Sequence, residues 1–132
     1  MDNVTPEGRA ASRLLADRHV LADEVTRRLY DEMPELTDRY GPVGREQCQE
    51  DIDDTIGHLI PAVDLGRPAL FAGYVQWLDQ LLRARNVTTR EIVRSLELTE
   101  EVVRTRLSAD EANVVATSIR AGLAELHAET SA

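Results

Sequence analysis

An all-α fold of five or more helices is what this sequence predicts, on three observations. Apolar residues recur at helical spacing over long stretches, no apolar/polar alternation lasts beyond a few residues, and two segments open with capping-box signatures. The first helix, residues 7–33, places Leu14, Leu21, Val25, Leu29 and Met33 on one face. Thr5-Pro6 suits its first turn and Pro34 ends it. Tyr40-Gly41-Pro42 reads as a turn. The second helix, about Val43 to Leu65, carries Cys48, Ile52, Ile56, Leu59, Ile60 and Val63 as a buried stripe. Gly57 interrupts that helix at a cost of about 1 kcal/mol unless a neighbour needs the room. Pro61 bends its last turn, and Gly66 with Pro68 separates it from the third.

The third helix, about Pro68 to Arg85, bears Leu70, Phe71, Tyr74, Trp77, Leu78, Leu81 and Leu82 as candidate core. Thr88 with Glu91 opens the fourth and Ser108 with Glu111 the fifth, where Val115, Ile119, Leu123 and Leu126 share a face. No internal repeat or linker divides the chain, so 1–132 reads as one domain, with 43–129 as helical core behind the long first helix.

Composition narrows the function classes. A chain of 132 residues, 42% hydrophobic and 30% charged, is an ordinary globular composition and excludes a disordered one. All 15 cations are arginine, and 24 acidic side chains leave a net charge of −9. Such a balance argues against nucleic acid and against anionic lipid, both of which require a basic surface. The polar start, Met1 to Pro6, lacks the pattern of a secretory leader, and no apolar stretch approaches the ~18 residues of a membrane span. With a single cysteine, Cys48, the chain fits a reducing, cytoplasmic setting.

Signatures of catalysis are missing: there is no phosphate loop, no G-x-S-x-G and no Cys-His pair at a recognisable spacing. Residues Ala16, Thr55 and Ala124 precede His19, His58 and His127 by three, so no Glu-x-x-His metal motif exists. Asp51, Asp54 and His58 share a helix face that reads as a solvated rim. Between Leu65 and Val87 no histidine could hold haem iron. A carboxylate enzyme site at Asp51, Asp53 and Asp54 lacks a nucleophile or activated base. The expectation is therefore a binding protein, without metal and not an enzyme. Cys48 by itself reads as a small buried hydrophobe. Asp51 stands one turn from it, however, beside the apolar stripe, where a carboxylate requires a hydrogen-bond donor or water.

The run Cys48-Gln49-Glu50-Asp51-Ile52-Asp53, then Leu59 and Ala62-Val63-Asp64-Leu65-Gly66, resembles the central helix of phycobiliproteins. Asn86-Val87-Thr88-Thr89, Leu107 to Ala112 and Ala121-Gly122-Leu123 resemble further pieces of that family in the right order, so the likeness spans about Gly41 to Leu126. It implies a globin-like fold without haem whose crevice holds a linear tetrapyrrole, biliverdin or phycocyanobilin. Cys48 matches the thioether-forming cysteine, and Asp51 matches the aspartate that accepts from pyrrole N–H groups. Glu50 stands where the family has a propionate-binding arginine. Arg45, Arg39 or Arg67 would have to substitute, with Arg45 on the Cys48 face. Thr55, Tyr74 and Trp77 complete the implied pigment contacts. The merged first helix points away from antenna subunits and toward a stand-alone bilin carrier or sensor, with a homodimer formed through that helix. The other reading is a haem-free globin sensor or interaction module like those of stress-response regulators. Its crevice is filled or takes a small apolar ligand, and it signals through dimerisation.

Overall fold

Thr5 starts the first helix, its Oγ1 accepting from the Gly8 amide at 3.0 Å while Pro6 occupies the first turn. The computed structural model describes residues 5–131, with side chains over 5–127, so most of the polar Met1–Pro6 stretch lies outside the described residues. Helix α1 (Pro6–Glu32) buries Leu14, Leu21, Val25 and Leu29, the face its spacing predicts.

Helix α2 (Glu35–Asp64) corrects the sequence reading. Pro34 does not lead into a loop: residues 35–40 are already helical, and Gly41 is a kink within the helix rather than part of a turn before it. Its φ of 68° and ψ of −171° lie in a region that side chains with a Cβ avoid. Pro42 follows, and its missing N–H removes a helical hydrogen bond at the same place. Three residues further on, a Cβ at Gly44 would stand 2.1 Å from Tyr40 Cβ, so the kink leaves room for hydrogen alone. Gly41→Ala is expected to cost about 1–3 kcal/mol of stability, read as a lower urea midpoint at unchanged m.

Gly66, at φ 62°, closes α2, and Arg67 N returns to Ala62 O at 2.8 Å. Helix α3 (Pro68–Ala84) is closed off by Asn86, which stands just past the C-cap Arg85 and adopts φ 67° as asparagine tolerates, while Val87 N reaches Leu82 O at 2.9 Å. Both predicted capping boxes form. Thr88 and Glu91 exchange bonds of 3.2 and 2.9 Å to open α4 (Thr89–Arg106). Ser108 and Glu111 do so at 3.3 and 3.4 Å to open α5 (Ala109–Ser131).

All-α architecture is thus established, and the five helices are compatible with a globin-like arrangement. Contact is most extensive between α1 and α2 and between α3 and α5, and α4 lies against α1 and α5. At Gly122 a Cβ would come within 2.8 Å of Val75 Cγ2, so this glycine lets α5 close onto α3. At Gly57 the tenant is the Arg18 guanidinium, whose Nη2 lies 2.7 Å from where a Cβ would stand. Arg18 Nε donates to Asp53 Oδ1 at 2.6 Å and to Asp53 O at 3.1 Å, and His19 Nδ1 touches the other Asp53 oxygen. The glycine's helix cost is offset by room for this pair.

Helix α3 differs from expectation. Its core face is Phe71, Val75, Leu78 and Leu82, whereas Leu70 and Trp77 stay 47% and 56% exposed. It also buries Asp79 completely. Thr89 Oγ1 donates to Asp79 Oδ1 at 2.8 Å. Arg83 Nη2 stands 2.9 Å from Oδ2 as a charge contact without hydrogen-bond alignment. Among the described residues no helix is long and apolar enough to cross a membrane.

Candidate ligand-binding crevice

The α2 kink creates a hollow. Because α2 changes direction at Gly41, Leu36 and Tyr40 on its first arm face Cys48, Asp51, Ile52 and Thr55 on its second. Leu29 and Tyr30 of α1, Leu78 and Leu82 of α3, and Glu91, Ile92 and Ser95 of α4 complete the wall, with Val87 between α3 and α4. The cavity holds about 90 Å³. Its surface is mostly aliphatic and aromatic carbon, with polar tips at a few points.

Three of the sequence-predicted residues meet here: Cys48, Asp51 and Thr55 line one wall at helical spacing. Asp51 Oδ1 accepts from Gln47 Nε2 at 3.1 Å and lies 4.0 Å from Arg85 Nη1. Burial still raises its pKa, with Gln47 and Arg85 opposing. Thr55 Oγ1 donates to Asp51 O at 2.8 Å. The Tyr74 hydroxyl, 3.2 Å from Thr55 Oγ1, is then the donor of that pair, because threonine has spent its single proton.

The other three lie outside the cavity wall. Tyr74 reaches the wall only through Thr55; its ring stacks on His58 at 4.0 Å between centroids. Trp77 is on the outer side of α3, 5.8 Å from the Tyr74 ring. Arg45 is exposed and holds its guanidinium over the Tyr30 ring at 5.1 Å. Among the alternatives to it, Arg39 is committed to Glu91, Nη1 to Oε1 at 2.7 Å.

Sequence reasoning missed Tyr30, Tyr40 and Glu91 as wall residues. Glu91 was legible only as a capping partner and Tyr40 only as a turn residue. In the fold the Tyr40 hydroxyl donates to Glu91 Oε2 at 3.1 Å, with Asn86 O also 3.1 Å away. The first arm of α2 is thereby tied to the start of α4.

Burial, then the Asp51 and Glu91 carboxylates, push the Cys48 thiol up to about 12. Alkylation by iodoacetamide at pH 8 is therefore expected to run roughly 10³-fold slower than for a free thiol, and to accelerate with pH beyond 9. The fold keeps this proton above the pH at which the unfolded chain releases it. Stability accordingly falls as pH rises between about 9 and 12. A Cys48→Ala chain, melted at a series of alkaline pH values, should lack that component.

No protein-family model matches this sequence, and no curated protein is significantly similar to it.

Proposed function

We propose that the chain is a haem-free, globin-like sensor or interaction module, not an enzyme, whose crevice takes a small and largely apolar ligand. The observation that carries this reading is the 90 Å³ hollow at the α2 kink, apolar across most of its wall. A cavity of roughly 150 Å³ lined by aliphatic and aromatic carbon accepts benzene or xenon, whereas drug-sized ligands occupy about 300–1,000 Å³. The hollow therefore suits a ligand of a few non-hydrogen atoms. Its occupant would press on the first arm of α2, which is held to α4 by Arg39 and Tyr40 and hinges at Gly41. A displacement of that arm is a means of reporting occupancy to a partner. The single unpaired Cys48 suits a reducing, cytoplasmic setting.

A bilin is the second reading, favoured by the meeting of Cys48, Asp51 and Thr55 on one wall. Admitting an open-chain tetrapyrrole would require Tyr30 and Tyr40 to swing out. Attachment would also require the Cys48 thiolate, which its surroundings disfavour.

Titration with xenon, benzene and biliverdin separates the two. Chemical shifts of Ile52, Leu78 and Leu82 methyls should move saturably with xenon or benzene, and the melting temperature should rise with ligand concentration. Ile52→Phe, which fills the hollow, should abolish both effects. Methyl shifts that stay put at saturating xenon and benzene would reject the small-ligand reading. A sharpened red band with biliverdin, lost in Asp51→Ala, would establish the other.

A further inference from the structure

Every hydroxyl on the crevice wall but one donates inside the chain. The Tyr40 hydroxyl donates to Glu91 Oε2 at 3.1 Å, Thr55 Oγ1 to Asp51 O at 2.8 Å and Ser95 Oγ to Ile92 O at 2.8 Å. Tyr30 lines the same wall and is only 5% exposed, yet its hydroxyl has no hydrogen-bond partner among the described residues. Buried polar groups in folded proteins are paired as a rule, and an exception calls for a reason. A phenylalanine would fill the same space and leave no proton over.

The hydroxyl faces the crevice. Apart from Arg45 over its ring, the groups that act on it electrostatically are Cys48, Tyr40 and Glu91, all of them wall residues. Burial, then Cys48, raise its pKa above the usual tyrosine value, with Arg45 opposing, so it keeps its proton and stays a donor. The Cys48 thiol beside it is a weak donor by comparison. What this wall lacks is therefore an acceptor for the Tyr30 proton. An anionic head group would supply one but would meet the Asp51 and Glu91 carboxylates. An ammonium group carries no lone pair to offer.

We infer that the crevice ligand is a small uncharged molecule with one accepting oxygen, a ketone or an alcohol on a hydrocarbon body, and that Tyr30 selects it by donating to that oxygen. This rests on the small-ligand reading of the crevice and names the ligand class. A hollow of about 90 Å³ limits the body to roughly one small ring. A buried donor disfavours the hydrocarbon of equal shape, because on binding it gives up water and gains no partner.

Cyclopentanone and methylenecyclopentane share nearly the same shape and differ in the oxygen. Both should be titrated against the intact chain, with binding read from the Ile52, Leu78 and Leu82 methyl shifts. Tyr30→Phe is expected to weaken cyclopentanone about tenfold and to leave methylenecyclopentane within about twofold. The wild-type chain gives a second readout: the carbonyl stretch of bound cyclopentanone should lie below its position in hexane, the mark of a hydrogen bond, and return there in Tyr30→Phe. Without ligand, Tyr30→Phe should melt no lower than the wild type, since the hydroxyl holds nothing in the chain. A lower melting temperature would give the hydroxyl a partner in the chain and overturn the inference. Equal weakening of both probes, a carbonyl stretch at its hexane position, or refusal of cyclopentanone where methylenecyclopentane binds would mean that the hydroxyl serves water alone. The inference then falls and the small-ligand reading stands. Methyl shifts that ignore both probes, benzene and xenon overturn the two together.

Discussion

Phe71→Ala is expected to lower the unfolding free energy by about 3–5 kcal/mol, the range for truncating a fully buried phenylalanine. Natural domains hold only about 5–15 kcal/mol in total, so one ring carries a large share of the fold. Phe71 has no exposed surface, and it sits where α5 comes nearest α3: a Cβ on Gly122 would lie 3.1 Å from its ring. Its ring also stands 6.0 Å from that of Tyr74, which continues to Thr55 on the crevice wall. The void left by alanine is not expected to close, because Val75, one turn further along α3, also holds α5 off: a Cβ on Gly122 would stand 2.8 Å from its Cγ2. Urea unfolding followed by circular dichroism measures the loss. A decrease below about 1 kcal/mol would mean that α5 settles into the vacancy, and that the interface is looser than the glycine contact implies.

Glu91→Ala should cost about 2–4 kcal/mol, from one lost capping interaction and the charge-assisted bonds to the α2 arm. The carboxylate is 7% exposed and serves three donors on two elements, the α4 cap and the first arm of α2. It accepts from Thr88 N at 2.9 Å, from the Arg39 guanidinium at 2.7 Å and from the Tyr40 hydroxyl at 3.1 Å. Removing it frays the first turn of α4 and releases residues 35–40, the arm that roofs the crevice. Glu91→Gln, with one oxygen fewer, should recover about half of the stability. Amide hydrogen exchange distinguishes a local from a global effect. Protection should fall first in the arm before Gly41 and at the start of α4, with α3 and α5 unaffected beyond the change in global stability.

The crevice mixes what local sequence can and cannot encode. That Cys48, Asp51 and Thr55 share a face follows from helical spacing alone, and they do line one wall. That Tyr30, Tyr40 and Glu91 stand opposite depends on a kink and on three helices arriving from distant parts of the chain. The volume enclosed, which discriminates between a small ligand and a tetrapyrrole, is a sum over all of those elements.

Local sequence was enough for the five helices, apart from the first arm of α2, for the caps at Thr5, Thr88 and Ser108, and for the buried stripes of α1, α2 and α5. A capping box closes within four residues and an apolar stripe repeats every turn, so both are complete inside a short window. It could not choose between the faces of α3, since Phe71, Val75, Leu78 and Leu82 recur at the same period as Leu70, Trp77 and Leu81. Only packing against α5 made that choice, and it left Trp77 outside and Asp79 within reach of Thr89. The kink at Gly41 was decided the same way. A glycine followed by proline suits a turn as well as a bent helix, and the bend wins because Tyr40 finds its partners at Asn86 and Glu91, across the crevice and nearly fifty residues away.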